Sequence, residues 1–131
     1  MRATKNELSL LLEAGPSSVR AADWAGMRVA VISVPAGTDF GPLLQGLPND
    51  RCQCPHWGYV RHGRLVYRYA DGDDEITAGE AYYARPGHIS IVFAGTELVE
   101  FSPSAGLAKT AAAIARNQAA GVQPGTPSGA G

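Results

Sequence analysis

Apolar positions along the chain change period twice, and each change predicts a change of element. Thr4 and Glu7 have the spacing of a capping box, and Leu8, Leu11 and Leu12 follow with helical period until Gly15-Pro16. A short amphipathic helix is predicted there, within a helical lead-in over residues 1–22. From Arg28 the run Val29, Ala30, Val31 and Ile32 is β-branched and ends at Pro35-Ala36-Gly37, which is strand chemistry. Turn formers from Asp39 to Arg51 (Gly41-Pro42, Gly46 and Leu47-Pro48-Asn49-Asp50) predict a long loop. Short strands then follow closely: Trp57 to Val60, Leu65 to Tyr69, Glu75 to Thr77, Ala81 to Ala84, His88 to Phe93 and Glu97 to Phe101. They are separated by Gly63, Asp71-Gly72, Gly79, Pro86-Gly87 and Gly95. Many short strands with regular turns predict a sandwich or barrel over residues 23–103. Ser102-Pro103 opens an alanine-rich helix over 104–120, and 121–131 has almost nothing to bury and reads as a disordered tail.

Composition narrows the classes of function. The 131 residues suit one core. Eleven basic residues nearly balance twelve acidic ones and are scattered, so nucleic acid is not an expected partner. The apolar runs are too short for a membrane span and no export signal is read, which predicts a cytoplasmic protein. The only cysteines are Cys52 and Cys54, too close for an unstrained disulfide, so they are read as reduced thiols. No nucleophile elbow, phosphate-binding glycine loop or dinucleotide fingerprint is present.

From Arg51 to Pro103 the chain resembles the cupin superfamily. Gly63 lies where the first cupin motif closes, behind Gly58-Tyr59-Val60. On that overlay His56 stands at the family's glutamate, Cys52 at its second histidine and Asp50 at its first. Gly79 and Gly87 reproduce the glycine spacing of the second motif. There Arg85 stands at the proline, Ser90 at the histidine and Ala94 at the asparagine, with His88 two residues earlier on the same strand face. The resemblance implies a mainly β, jelly-roll barrel with short N-terminal and C-terminal helices, a bound metal and a homodimer. Because the usual ligands are replaced, the family's dioxygenase and isomerase chemistry does not carry over with them.

Cys52, Cys54 and His56 alternate, so an extended segment would project all three to one side, where His88 would join them inside the barrel. Two thiolates and two imidazoles favour zinc, with iron, manganese or nickel as alternatives, and four such ligands would close a structural site. Taken literally, the motif overlay gives Asp50, Cys52 and His56, with His88 as a possible fourth. Three protein ligands would leave a position open for catalysis. The pair Cys52 and Cys54 also reads simply as two small buried hydrophobes. Trp57, Tyr67, Tyr82 and Ser90 are the expected walls of a small-molecule pocket, with His88 or Tyr82 as proton carrier if the protein is an enzyme. His62 sits at a turn and reads as solvent-exposed, and Asp71, Asp73, Asp74 and Glu75 read as a solvated hairpin tip. A second reading makes the barrel a non-catalytic ligand-binding or thiol-sensing module.

Overall fold

A computed structural model describes residues 1–14 and 16–127. Among the described residues there are ten strands: β1 (Ser9–Ala14), β2 (Ser17–Trp24), β3 (Met27–Val34), β4 (Thr38–Asp39), β5 (His56–His62), β6 (Arg64–Tyr69), β7 (Gly72–Thr77), β8 (Ala81–Ala84), β9 (Ile89–Val92) and β10 (Thr96–Pro103). One α-helix, α1 (Ser104–Ala119), follows directly on β10. The strands form two antiparallel sheets, ordered β1-β2-β3-β10-β5-β8 and β4-β9-β6-β7. The second is the smaller sheet, with four strands against six, and its edge strand β4 has only two residues.

The core lies between the sheets. Val34, Val60, Tyr82, Ala84 and Leu98 of the larger sheet pack against Leu65, Tyr67, Tyr69, Ile76 and Val92 of the smaller one. Each large apolar side chain removed from water here contributes on the order of 1.5–3 kcal/mol. A second cluster, Leu44, Cys52 and Cys54 with Leu107 and Ile114, docks α1 across one end. The Asn117 amide fixes that helix by donating to the carbonyls of Leu43 (2.8 Å) and Gln45 (2.9 Å).

Three expectations are corrected. The N-terminal helix is a single 3₁₀ turn, Lys5–Glu7; its capping box is real, with the Thr4 N–H donating to Glu7 Oε1 at 2.8 Å, but the leucines beyond it are in β1 and β2 extends the sheet further. The register between β1 and β2 slips between Leu10 and Leu12, and this bulge at Leu11 makes a strand imitate helical spacing. The barrel is not closed, because the ladders of the described residues end at β1 and β8 on one sheet and at β4 and β7 on the other. Of the expected tail, Gly125 exchanges two backbone hydrogen bonds with Asp39, at 2.8 and 2.9 Å; residues 128–131 lie outside the described part. Among the described residues no helix is long and apolar enough to cross a membrane.

Candidate metal centre and ligand cavity

The main chain brings the two motif regions together. Cys52 and His88 form an isolated antiparallel bridge, in which the Cys52 N–H donates to the His88 carbonyl (2.9 Å) and the Gly87 and His88 N–H groups donate back to the Cys52 carbonyl (2.8 and 3.2 Å). Residues 51–55 do not form a regular strand, so Cys52, Cys54 and His56 do not alternate on one face. His56 begins β5 four residues after Cys52, and its Nε2 lies 3.8 Å from Cys52 Sγ.

Cys52, His56 and His88, all buried, each offer one ligand atom, and the three atoms lie within 4.8 Å of one another. Second partners orient the rings. His88 Nδ1 lies 2.7 Å from the Arg85 carbonyl, an acceptor only, so Nδ1 carries the proton and Nε2 presents a lone pair. That Nε2 is buried with no hydrogen-bond partner among the described residues. His56 Nδ1 lies 2.7 Å from Ser102 Oγ and 3.8 Å from Glu100 Oε2, which turns its Nε2 toward the sulfur. Thr110 of α1 completes the surroundings, with its hydroxyl 3.2 Å from Cys52 Sγ.

The electrostatics separate the two cysteines. Burial pushes the Cys52 thiol up, but hydrogen bonding from the His56 imidazole, and to a lesser extent from the Thr110 hydroxyl, outweighs it and brings it down to about 5. Burial and the neighbouring charges of Cys52 and Glu100 push Cys54 up to about 11. Burial disfavours the charged form of His56, yet the Glu100 carboxylate and the Cys52 sulfur raise it above the usual histidine range.

Cys52 and His56 also line a cavity of about 330 Å³ between the sheets, partly open to solvent and roofed by Leu107 and Ile114 of α1. Its walls are mainly aliphatic. Tyr67 and Ser90, expected pocket residues, line it. Tyr82 stands one layer behind, its hydroxyl donating to Glu100 Oε1 at 2.7 Å as Tyr67 does from the other side, also at 2.7 Å. Burial and then the Glu100 carboxylate hold both phenols protonated, well above their ordinary range. Gly58 makes this reach possible: it is the cross-strand partner of both Tyr82 and Glu100, and a Cβ there would overlap the Tyr82 ring.

Three expected site residues lie elsewhere. Cys54 Sγ contacts the carbonyls of Pro55 (3.5 Å) and Pro103 (3.8 Å), because Pro55 and the irregular backbone turn it under the start of α1. Asp50, the first-histidine position, is exposed and accepts the Gly46 N–H at 3.0 Å. Trp57 is 45 % exposed on the outer face of β5, packed at a tilt against Tyr83 with 5.2 Å between ring centroids. His62 is exposed, and Asp71, Asp73 and Glu75 sit in exposed ion pairs with Arg85, Arg68 and Arg64. Sequence reasoning missed Glu100, Ser102 and Thr110. The first two carried a readable signal, since Leu98, Glu100 and Ser102 alternate on one face of a strand and put an acid where an apolar side chain is the rule.

Comparison with known proteins places this geometry within a fold. No protein-family model and no curated protein matches the sequence. Among solved structures, the chain is similar to an RmlC-like cupin from Shewanella frigidimarina at 14% identity and a TM-score of 0.55, over 77% of this chain and 88% of that one. It is similar to apo-HppE at 11% identity and a TM-score of 0.54, over 78% of this chain and 57% of that one. It is also similar to an oxalate decarboxylase variant from Bacillus subtilis at 15% identity and a TM-score of 0.55, over 77% of this chain but only 28% of that one. Two facing antiparallel sheets, the glycine-marked turns and the residues contributed from both motif regions agree with these likenesses, and the chain has the cupin fold.

Proposed function

We propose that Cys52, His56 and His88 hold a divalent metal ion, zinc by preference, and that the adjoining cavity holds a small organic ligand on which the protein acts. The observation that carries this reading is His88 Nε2: a buried lone pair, fixed in tautomer by the Arg85 carbonyl, without a partner, and grouped with a sulfur and a second imidazole nitrogen. An unmet buried acceptor costs roughly 1–3 kcal/mol, and a cation removes that cost. The donor set fits as well. One sulfur and two nitrogens suit zinc, whose bonds of about 2.0–2.3 Å call for only a modest contraction of the present spacing. Ser102 and the Arg85 carbonyl act as the outer partners that orient ligating histidines.

Three protein ligands leave a coordination position, which separates this arrangement from a closed structural site. The bound ion would supply Lewis-acid polarisation of a ligand oxygen. The chain's own contribution is the rest: aliphatic walls that exclude water, Glu100 held in place by two tyrosine hydroxyls, and Thr110 beside the sulfur. Metal analysis by mass spectrometry, on protein purified without tag or chelator, tests the reading. Near-stoichiometric metal in the wild type and its loss in His88→Ala are expected; equal content in the two proteins, or none in either, overturns it.

A second reading, thiol sensing, is favoured by the low thiol pKa of Cys52. It predicts metal-free protein in which mild peroxide adds one oxygen to Cys52, reversibly and without change at Cys54. Free thiols fit a reducing, cytoplasmic setting.

Homodimerisation is proposed through the outer face of the larger sheet. Phe101, Trp57 and Tyr83 are in register across β10, β5 and β8, with Tyr59 beside them, and all four are 40–50 % exposed. Aromatic side chains of about 200 Å² each leave roughly 400 Å² of apolar surface there. A stable pairing covers about 800 Å² per partner, so such a patch supplies the centre of one.

A further inference from the structure

Glu100 is not one of the three proposed metal ligands, and it is the one acid in the wall of the cavity among the described residues. Its two oxygens differ. Oε1 accepts both the Tyr67 and Tyr82 hydroxyls at 2.7 Å and is saturated. Among the described residues Oε2 accepts no hydrogen bond; His56 Nδ1 lies 3.8 Å from it, and that nitrogen already pairs with Ser102. Each phenol has one proton and donates it to Oε1, so neither serves Oε2. One carboxylate oxygen is therefore left without a hydrogen-bond donor in the wall of a mainly aliphatic cavity.

The cationic side of the cavity is spent. Two basic side chains line it: the Arg28 guanidinium is taken by two hydrogen bonds to Asp23, at 2.8 and 3.0 Å, and His56 already faces Cys52, Ser102 and Glu100. A ligand carboxylate would find no unpaired guanidinium there and would meet the Glu100 charge at low dielectric, where like charges a few ångström apart repel strongly. A neutral hydroxyl meets the opposite situation, since its O–H supplies the donor that Oε2 lacks while its hydrocarbon body replaces water along the aliphatic walls.

We propose that the cavity selects neutral aliphatic molecules bearing a hydroxyl head, accepted by Glu100 Oε2, over carboxylic acids of the same chain length. The inference rests on the reading of the cavity as a ligand site but not on the metal ion. Its test is accordingly run on the purified protein both before and after dialysis against EDTA. The probes are 1-octanol and octanoate, with affinity read by calorimetry. In the EDTA-dialysed protein 1-octanol binds and octanoate binds at least tenfold more weakly. Glu100→Gln, which keeps an acceptor for the two tyrosines but puts an amide at the other position, removes most of that ratio. Octanoate binding as tightly as 1-octanol in that protein overturns the proposal, as does an unchanged ratio in Glu100→Gln, or the failure of both probes to bind. Should Glu100→Gln not fold, Tyr82→Phe replaces it. Losing one of the two donors that fix Glu100 weakens 1-octanol binding by threefold or more, and an unchanged affinity counts against the idea. The metal reading fails separately: protein without metal that still prefers 1-octanol removes the ion and keeps the selectivity, and metal-loaded protein without the preference does the reverse.

Discussion

Cys52 and Cys54 differ by one intervening residue and by opposite chemistry. The first is held near 5 beside two imidazoles, the second near 11 under the start of the helix. In EDTA-treated protein a small alkylating reagent entering through the cavity should modify Cys52 alone. The sign follows from which form reacts. Only the thiolate attacks, so a thiol with its pKa brought down to about 5 keeps its rate nearly constant from neutral pH to about pH 6 and loses it only as pH falls through 5. An ordinary thiol loses about tenfold per unit over that whole range. Peptide mapping after timed alkylation reads both points, and modification of Cys54 at neutral pH contradicts them. At this scale the sequence named Cys52, His56 and His88 by residue type. It could not exclude Cys54, because the alternation argument assumed an extended backbone that Pro55 interrupts. Nor could it include Thr110, which reaches the sulfur from a helix 58 residues away.

Two elements position the site and each has a residue that tests it. On β5, Gly58 leaves the gap across which Tyr82 reaches Glu100. Gly58→Ala forces the ring aside and should cost about 1–3 kcal/mol, the usual price of overpacking, read as a lower denaturation midpoint. On α1, Asn117 carries the two amide bonds to the loop carbonyls. Asn117→Ala should cost about 1 kcal/mol and speed hydrogen exchange in α1 before it affects the sheets. Exchange accelerated equally everywhere would mean that the helix does not open on its own. Strands β5 to β10 were legible because glycine turns separate short β-rich runs. The N-terminal strand was not, since a true capping box preceded it and the bulge at Leu11 shifted its leucines into helical phase. Local signals of that kind yield to pairing with β2, which the sequence does not display.

For the molecule as a whole, the exposed aromatic row and the aliphatic cavity lie on opposite faces of the larger sheet, one outward and one inward. Assembly and ligand binding should therefore separate by mutation. Trp57→Lys places a charge in the centre of the outer patch and should shift a dimer to monomer in light scattering at micromolar concentration, with metal content unchanged. A wild type that is already monomeric removes the proposed interface. The overall class, mainly β with one C-terminal helix, was readable from turn spacing. Whether the sheets close was not, because closure depends on which edges pair rather than on which residues are apolar.

The bridge between Cys52 and His88 has a consequence for how the centre comes into being. These residues are 36 positions apart and are joined by main-chain bonds outside any continuous ladder. Loop closure over such a span must be completed before either side chain meets the other. The cluster is thus expected to form late in folding rather than to nucleate it. In a refolding experiment the sheet signal should rise first and competence to capture a metal second, so that the centre serves the chain as a record that its two halves have found each other.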